Sequence, residues 1–387
     1  MAVFRAGVIA RAAVVLTALA GCDGAGPPAP IDARQCRVVA VIDQATGSPV
    51  VGIEDIALDA VGGHAFLSAY DRRAVAAEAD GGGPVTTEGG IYRLDISDLR
   101  PPLAQPLSVV DATADARRHI TVRPHGIDLH RAADGTRVLA AINRPYDDDG
   151  RVRPTVELFD VADGMLAHRR TVADDRLCAA NDVAVSTADQ LFVTHDRAAC
   201  AGPARWAEDV LGLKRSGVLY LDGDRVAPLI SGLGFANGVA LERHGKSLGP
   251  VLYVAATRED AVHVYSVANR DGDVTASHMA RLTVAGGPDN LVRGADGTLY
   301  GAAHPSLIAF ALYRSDLFGR DSAPSRLFSL KVAGAGDAGR VRTLYAGDGA
   351  LLSGATAAVR WGDVMLAGAA FDDGLLVCRL DGEGAGA

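Results

Sequence analysis

One short segment recurs six times along this chain: a Gly or Asp turn followed by a run of small and apolar residues. The copies are Gly63-His-Ala-Phe-Leu-Ser-Ala, Gly135-Thr-Arg-Val-Leu-Ala-Ala, Asp189-Gln-Leu-Phe-Val-Thr-His, Gly249-Pro-Val-Leu-Tyr-Val-Ala, Gly297-Thr-Leu-Tyr-Gly-Ala-Ala and Gly362-Asp-Val-Met-Leu-Ala-Gly. Each is preceded by another apolar strand with a polar motif at its start. Helical periodicity is scarce, so the class is all-β. A spacing on the order of 50 to 70 residues suits a four-stranded sheet with its loops, and six such units around an axis make a six-bladed β-propeller rather than a sandwich. Many units continue into a third strand with apolar-polar alternation, such as Gly90-Ile-Tyr-Arg-Leu-Asp, Val156-Glu-Leu-Phe-Asp, Gly217-Val-Leu-Tyr-Leu-Asp and Val262-His-Val-Tyr-Ser. These are expected to bury one face.

A ring must join its ends. The strand Val38 to Ile42 has no partner of its own, and Leu375 to Leu380 ends the folded chain, so the two are expected to pair. Cys36 and Cys378 sit on these strands, and a bridge between them would lock the ring, contributing about 4 to 5 kcal/mol in the chain-entropy picture. Cys178 and Cys200 flank the hairpin Val183 to His195 at similar distances from its turn and form the second expected bridge.

Disulfides presuppose an oxidising compartment, and the N-terminus supplies the route. Arg5 and Arg11 precede an apolar stretch from Ala12 to Ala20, too short to span a membrane, which reads as a signal peptide over 1–21. It ends in Leu19-Ala20-Gly21-Cys22, which resembles the bacterial lipobox, with Cys22 as the lipidated residue. Residues 22–35 then form a flexible lipid-bearing tether, and the propeller occupies 36–387. The expectation is an exported protein held at the cell envelope through its N-terminal lipid. A net charge of −9, without a basic stripe interleaved with aromatics, excludes nucleic acid as a partner.

The polar motif before each inner strand carries the chemistry. In order these are Glu54-Asp55, His125-Gly126-Ile127, Asn181-Asp182, Asn237-Gly238, Asp289-Asn290 and the polar-poor Ser353-Gly354. The repeat makes them equivalent, so they converge at one end of the central channel. Carboxylates gathered at a constricted axis demand a cation. Oxygen donors without Cys favour calcium, which accepts carboxylate and amide oxygens in loose geometry.

The ordered set Gly52-Ile53-Glu54-Asp55-Ile56, Pro124-His125-Gly126-Ile127, Thr155-Val156-Glu157-Leu158-Phe159, Asn181-Asp182-Val183-Ala184-Val185, Phe235-Ala236-Asn237-Gly238, Asp289-Asn290 and His304-Pro305 resembles the motifs of the serum paraoxonase/arylesterase family, from about Cys36 to Leu380. The resemblance implies two calcium ions. Glu54, Asn181, Asn237, Asp289 and Asn290 would hold a catalytic ion near the mouth, and Asp55, Asp182 and the Ile127 carbonyl a deeper structural one. His125 matches one member of a family His pair assigned to general-base work; the second member is replaced by Arg144, which cannot accept a proton. The base then falls to His125, to Asp289 or to His304, while Arg144 binds a substrate carboxylate or steadies developing negative charge. Tyr70, Phe235 and Phe371 match the apolar substrate wall. Trp206 to Leu213 resembles the family's active-site helix in shortened form, although its apolar spacing also suits a packing helix.

The implied activity is calcium-dependent hydrolysis of small-molecule lactones or aryl esters. A sugar-lactonase or phosphotriesterase of the same architecture is an alternative, as is a non-catalytic lipoprotein binding module. Gly334-Ala-Gly336-Asp-Ala-Gly339 fits a dinucleotide pattern but runs into a strand at Val341, and Asp147 to Gly150 lacks the remaining ligands of a calcium loop. No GxSxG or HExxH motif occurs.

Overall fold

The computed structural model describes residues 31–99, 106–147, 149–243, 249–331 and 339–380. They form a six-bladed β-propeller, with five four-stranded sheets and one of five strands. The chain enters through β1 (Cys36–Val39) and β2 (Val41–Asp43) and then builds the first blade from β3 (Ile53–Asp59), β4 (His64–Ala69), β5 (Gly90–Asp95) and β6 (Leu107–Asp111). The second blade is β7 (Pro124–Arg131), β8 (Arg137–Asn143), β9 (Thr155–Ala162) and β10 (Met165–Val172). The third is β11 (Ala180–Val185), β12 (Gln190–His195), β13 (Ser216–Asp222) and β14 (Arg225–Leu233). The fourth is β15 (Ala236–Arg243), β16 (Pro250–Ala256), β17 (Ala261–Arg270) and β18 (Asp273–Thr283), and the fifth β19 (Gly287–Arg293), β20 (Leu299–His304), β21 (Ser325–Lys331) and β22 (Arg340–Gly347). The last contains β23 (Ala355–Trp361), β24 (Val364–Ala369) and β25 (Leu375–Arg379), with β1 as its outermost strand.

The six recurring segments are the second strands β4, β8, β12, β16, β20 and β24. They are buried almost end to end, because a blade's middle strands meet a neighbouring blade on both faces. The same sandwiching corrects one expectation. The third strands are largely buried on both faces, β13 along six successive residues, and alternation belongs to outer strands such as β18, which switches between exposed and half-buried residues. Core clusters accordingly lie between blades: Val156, Leu158, Val183, Val193 and Leu219 join blades two and three, and Phe192, Leu233, Val239 and Val254 join three and four.

The expected strand from Val38 to Ile42 is two strands broken at Ala40. β1 pairs antiparallel with β25, placing Cys36 opposite Cys378, while β2 lies parallel to β6 at the edge of the first blade. Both expected disulfides, Cys36–Cys378 and Cys178–Cys200, are present. The ordered body also begins earlier than the expected boundary. Ile31 is buried against the last two blades with its N–H donated to the Leu344 carbonyl at 3.0 Å, and Asp32 caps the short turn Ala33–Gln35 that leads into β1. Residues 31–35, assigned to the tether from sequence, are therefore part of the folded body. The signal peptide over 1–21 and Cys22 lie outside the described residues, as does most of the glycine-rich 334–339 stretch.

Every inner strand breaks register with its neighbour near its start, between Ile53 and Asp55, Pro124 and Ile127, Ala180 and Val183, Ala236 and Val239, Pro288 and Leu291, and Ala355 and Ala357. A β-bulge re-aims the side chains of the extra residues. Here it frees Glu54, His125, Asn181, Asn237, Asp289 and Asn290 from the ladder. By the same register the sixth equivalent position is Thr356, inside β23, and not Ser353-Gly354. Thr356 is buried and its hydroxyl donates to the Glu54 carbonyl at 2.6 Å. Close approach at the axis fixes Gly126, where a Cβ would lie 2.2 Å from Asp182 Oδ1 and 2.5 Å from Asp182 Cα.

Candidate active site

Because every inner strand starts at the end where the second strand finishes, the residues following β4, β8, β12, β16 and β20 gather around one mouth. Three helices rise there, α1 (Arg72–Asp80), α2 (Gly202–Leu211) and α3 (Leu307–Arg314), following the second strands of the first, third and fifth blades. Asp71 and Ser306 cap α1 and α3 by accepting from the N–H groups of Ala74 and Ala309. In α2 the only buried residue is Glu208, whereas Trp206, Val210 and Leu211 are exposed, so this helix is not packed by its apolar residues.

Beneath the mouth lie the residues singled out from sequence. Glu54, Asn181, Asn237, Asp289 and Asn290 are all buried, with Asp55 and Asp182 below them. Asn290 Nδ2 donates to Glu54 Oε1 at 2.9 Å and to the Glu54 carbonyl at 3.1 Å, and Asn237 Nδ2 donates to Thr257 Oγ1 at 3.1 Å. The amide nitrogens of Asn290 and Asn237 are thereby tied to protein while their oxygens are not. Asn181 Oδ1, Asn237 Oδ1, Asn290 Oδ1 and Glu54 Oε2 are buried and accept no hydrogen bond. Four unpartnered acceptors in one ring are costly in a dry interior, and they are the kind of atom a hard cation binds. Among the described residues no group of three or more His, Cys, Asp and Glu side chains could hold a metal on its own, so any ion here depends on the three amides.

The lower carboxylates have partners. Asp55 accepts from the N–H groups of Ile56 and Ile127 at 2.8 Å each, and Asp182 from Val183 and Val239 at 2.7 Å each, so each ties its own inner strand to the next. Burial, and for Asp55 the adjacent Asp182 and Glu54, still push both well above the usual carboxylate range. Two buried acids with raised pKa at the axis fit a site that gains from a cation.

His125 Nδ1 lies 3.1 Å from Glu54 Oε2 and 3.2 Å from Arg72 Nη2. Nδ1 therefore faces both a guanidinium, which can only donate, and a carboxylate, which can only accept. Burial, and then the charges of Arg144 and Arg72, hold His125 down at about 4, so the ring is neutral at neutral pH. Burial works to raise Glu54, but His125, Arg72 and the Asn290 amide overcome it and hold the carboxylate at about 2. Across the channel, His304 Nε2 lies 2.8 Å from Asp289 Oδ2, and Phe310 of α3 stacks on the His304 ring with centroids 3.8 Å apart. Burial raises Asp289 while the His304 bond opposes it.

Each expected wall aromatic carries a cation. The Arg72 guanidinium sits 4.0 Å from the Tyr70 ring, Arg197 and Arg258 sit 5.6 and 5.3 Å from Phe235, and Arg73 sits 5.5 Å from Phe371. Phe235 is held at φ 64°, a conformation a bulky residue adopts only where the surroundings enforce it. Arg144 follows β8, and its Nη2 donates at 3.2 Å to the carbonyl of Ala180, the residue before Asn181. Sequence reasoning missed Arg72, Thr356 and Phe310. Only the capping residues Asp71 and Ser306 hinted at the helices that carry two of them.

A six-bladed propeller whose bulged inner strands aim carboxylates, amides and a histidine into one end of its channel, with His304 beside them at the end of a second strand, defines a class of enzyme-like propellers with an axial polar site. The chain belongs to the arylesterase family, whose model matches residues 83–380. It is 26% identical to rat serum paraoxonase/arylesterase 1 over 73% of this chain and 75% of that protein. It is 27% identical to rat serum paraoxonase/lactonase 3 over 76% of this chain and 77% of that one. A periplasmic gluconolactonase of Pseudomonas aeruginosa shares 15% identity, with a TM-score of 0.46 over 91% of this chain and 93% of that structure.

Proposed function

We propose that this protein is a calcium-dependent hydrolase of lactones or aryl esters. The observation that carries the reading is the ring of buried, unpartnered oxygens on Glu54, Asn181, Asn237 and Asn290, together with membership of the arylesterase family. With Asp289, these residues would hold one ion; Asp55, Asp182 and the Ile127 carbonyl would hold the second. When bound, calcium supplies a Lewis acid for the substrate carbonyl.

The remaining chemistry belongs to side chains. His125 is neutral at neutral pH, with Nδ1 turned to Arg72 and Glu54, and serves the site as a polar contact. His304 donates to Asp289 Oδ2 and orients the carboxylate, whose other oxygen takes the proton of the attacking water. Tyr70, Phe235 and Phe371 bound the apolar part of the substrate. The same reading makes the protein an exported one, in keeping with two disulfides, with residues 1–21 as signal peptide and Cys22 as the lipid anchor to the membrane. Among the described residues no helix is long and apolar enough to cross a membrane.

The test is turnover of a panel of lactones, aryl esters and phosphotriesters by calcium-loaded and chelated protein. Hydrolysis of lactones or aryl esters that chelation abolishes and calcium restores is expected. Absence of turnover on every substrate by folded, calcium-loaded protein would overturn the reading in favour of a binding module. His125→Gln keeps a polar side chain and is expected to hold turnover within about tenfold. A fall by roughly 10² to 10⁴, the scale of a lost general base, would return that role to the imidazole.

A further inference from the structure

At the end of the propeller opposite the mouth, the turns β3–β4, β7–β8 and β9–β10 surround a cavity of about 500 Å³ between the first two blades. Its wall carries Arg93, Arg131, Arg137 and His64 against one acid, Asp163. Arg131 and Arg137 stand directly opposite one another on the β7–β8 ladder, an arrangement in which like charges destabilise the pair. Asp59 answers only one of them, accepting from Arg137 Nη1 at 2.8 Å. The Arg131 side chain has neither an ion pair nor a hydrogen bond among the described residues. Arg93 Nη1 donates to the Asp163 carbonyl at 2.8 Å, which satisfies a donor without cancelling its charge. The acids beside the wall in the chain or across the ladder are engaged with backbone: Asp59 accepts from the N–H of Gly62, Asp95 from Ser97 and Asp134 from Thr136.

Two glycines make room for these side chains. A Cβ on Gly164 would lie 2.5 Å from Arg93 Cδ and 3.1 Å from His64 Cδ2, and one on Gly62 would lie 2.7 Å from Arg137 Nη1. Arg93 and His64 thus flank one turn and Arg137 the other, around a common space. His64 Nδ1 is buried with no hydrogen-bond partner, so the wall holds a polar atom that the protein leaves unsatisfied. The whole chain has a net charge of −9, which makes this gathering of arginines a local feature. An anion in the cavity would relieve the Arg131–Arg137 repulsion. One guanidinium fork satisfies a planar carboxylate, whereas donors arriving from β5, β7 and β8 suit a tetrahedral oxyanion that presents oxygens in several directions.

We propose that this cavity is a binding site for a phosphate group, with Arg93, Arg131 and Arg137 as its donors. The volume is in the range of small-ligand sites, so the phosphate is one borne by an organic body, as in a phosphomonoester or a phospholipid headgroup. The site lies at the far end of the channel from the axial ring and does not rest on the hydrolase reading.

Calorimetry on the full-length protein tests it with three probes: glycerol 3-phosphate, glycerol, and dihexanoylphosphatidylglycerol below its micelle concentration. At least one of the two phosphates is expected to bind and glycerol is not, and the tighter phosphate identifies the source as a free phosphomonoester or a lipid headgroup. Arg93→Gln and Arg131→Gln are each expected to weaken that binding about ten- to hundredfold, as for a lost charge-assisted hydrogen bond. Arg131→Gln is also expected to leave the Tm no lower than that of the native protein, because it removes a repulsion and no partner. Failure of both phosphates to bind at millimolar concentration overturns the site. So does binding that both variants leave unchanged, since the phosphate would then lie elsewhere, at the axial ring for example.

Discussion

Gly126 shows how little room the axis allows. A methyl group there would run into Asp182, including its Cα, and the backbone of a neighbouring inner strand cannot step aside as a flexible side chain could. Gly126→Ala should therefore destabilise the fold by about 1 to 3 kcal/mol, the usual range for overpacking, and a thermal melt will show it as a lowered Tm. Much of the candidate site was legible at this scale, because Glu54, His125, Asn181, Asn237 and Asp289 are chemically conspicuous residues at equivalent places in a repeat. Thr356 was not, since a threonine at the start of a strand is what β propensity alone would put there; only the bulge between Ala355 and Ala357 marks it as the sixth member. Arg144 was visible because it stands where a histidine was expected. Arg72 and Phe310 lie in helices that break the repeat, so nothing in the repeat could align them with the mouth.

At the scale of elements, the strands were readable, and of the helices only α2 was, read at Trp206 to Leu213 and found at Gly202–Leu211. Second strands announce themselves as unbroken apolar runs between glycine turns. By contrast, α1 buries only Val75, leaving no 3.6-residue stripe to detect, and α3 (Leu-Ile-Ala-Phe-Ala-Leu-Tyr-Arg) is so uniformly apolar that its period is ambiguous between helix and strand. The alternation read into the third strands was real but mattered less than the neighbouring blades, which cover both faces. What positions α3 can be tested through its cap. Ser306→Ala removes the acceptor of the Ala309 N–H at 3.2 Å and should cost about 1 kcal/mol. Hydrogen exchange over 307–314 should then speed up about fivefold while inner-strand amides keep their protection. Unchanged exchange would mean that the stacking of Phe310 on His304, and not the cap, holds the helix.

For the whole molecule the decisive contact is the one that shuts the ring. β1 completes the last blade, and the Cys36–Cys378 bridge fixes it there across a sequence separation of 342 residues. Replacing both cysteines by serine should lower stability by about 2 to 5 kcal/mol, read as a lower denaturation midpoint that reducing agent no longer shifts through this bridge. A midpoint equal to that of the native protein would show that hydrogen bonding of β1 to β25 suffices. Ring closure was legible because a propeller needs it and the chain offers only one pair of end strands. The break at Ala40, which sends β2 to the first blade, was not, because Val38 to Ile42 reads as one continuous apolar run.

This closure also fixes an order of events in biosynthesis. β1 is made before any blade exists, yet its hydrogen-bonding partner β25 is the last strand to be synthesised. At roughly 5 to 20 residues per second, the nascent chain must carry that edge unpaired for roughly 20 to 70 seconds while five blades assemble behind it. Ile31 through Val39 then dock onto a nearly finished molecule. Whatever holds the N-terminus during that wait, a chaperone or a membrane surface, meets the one segment whose release lets the ring form.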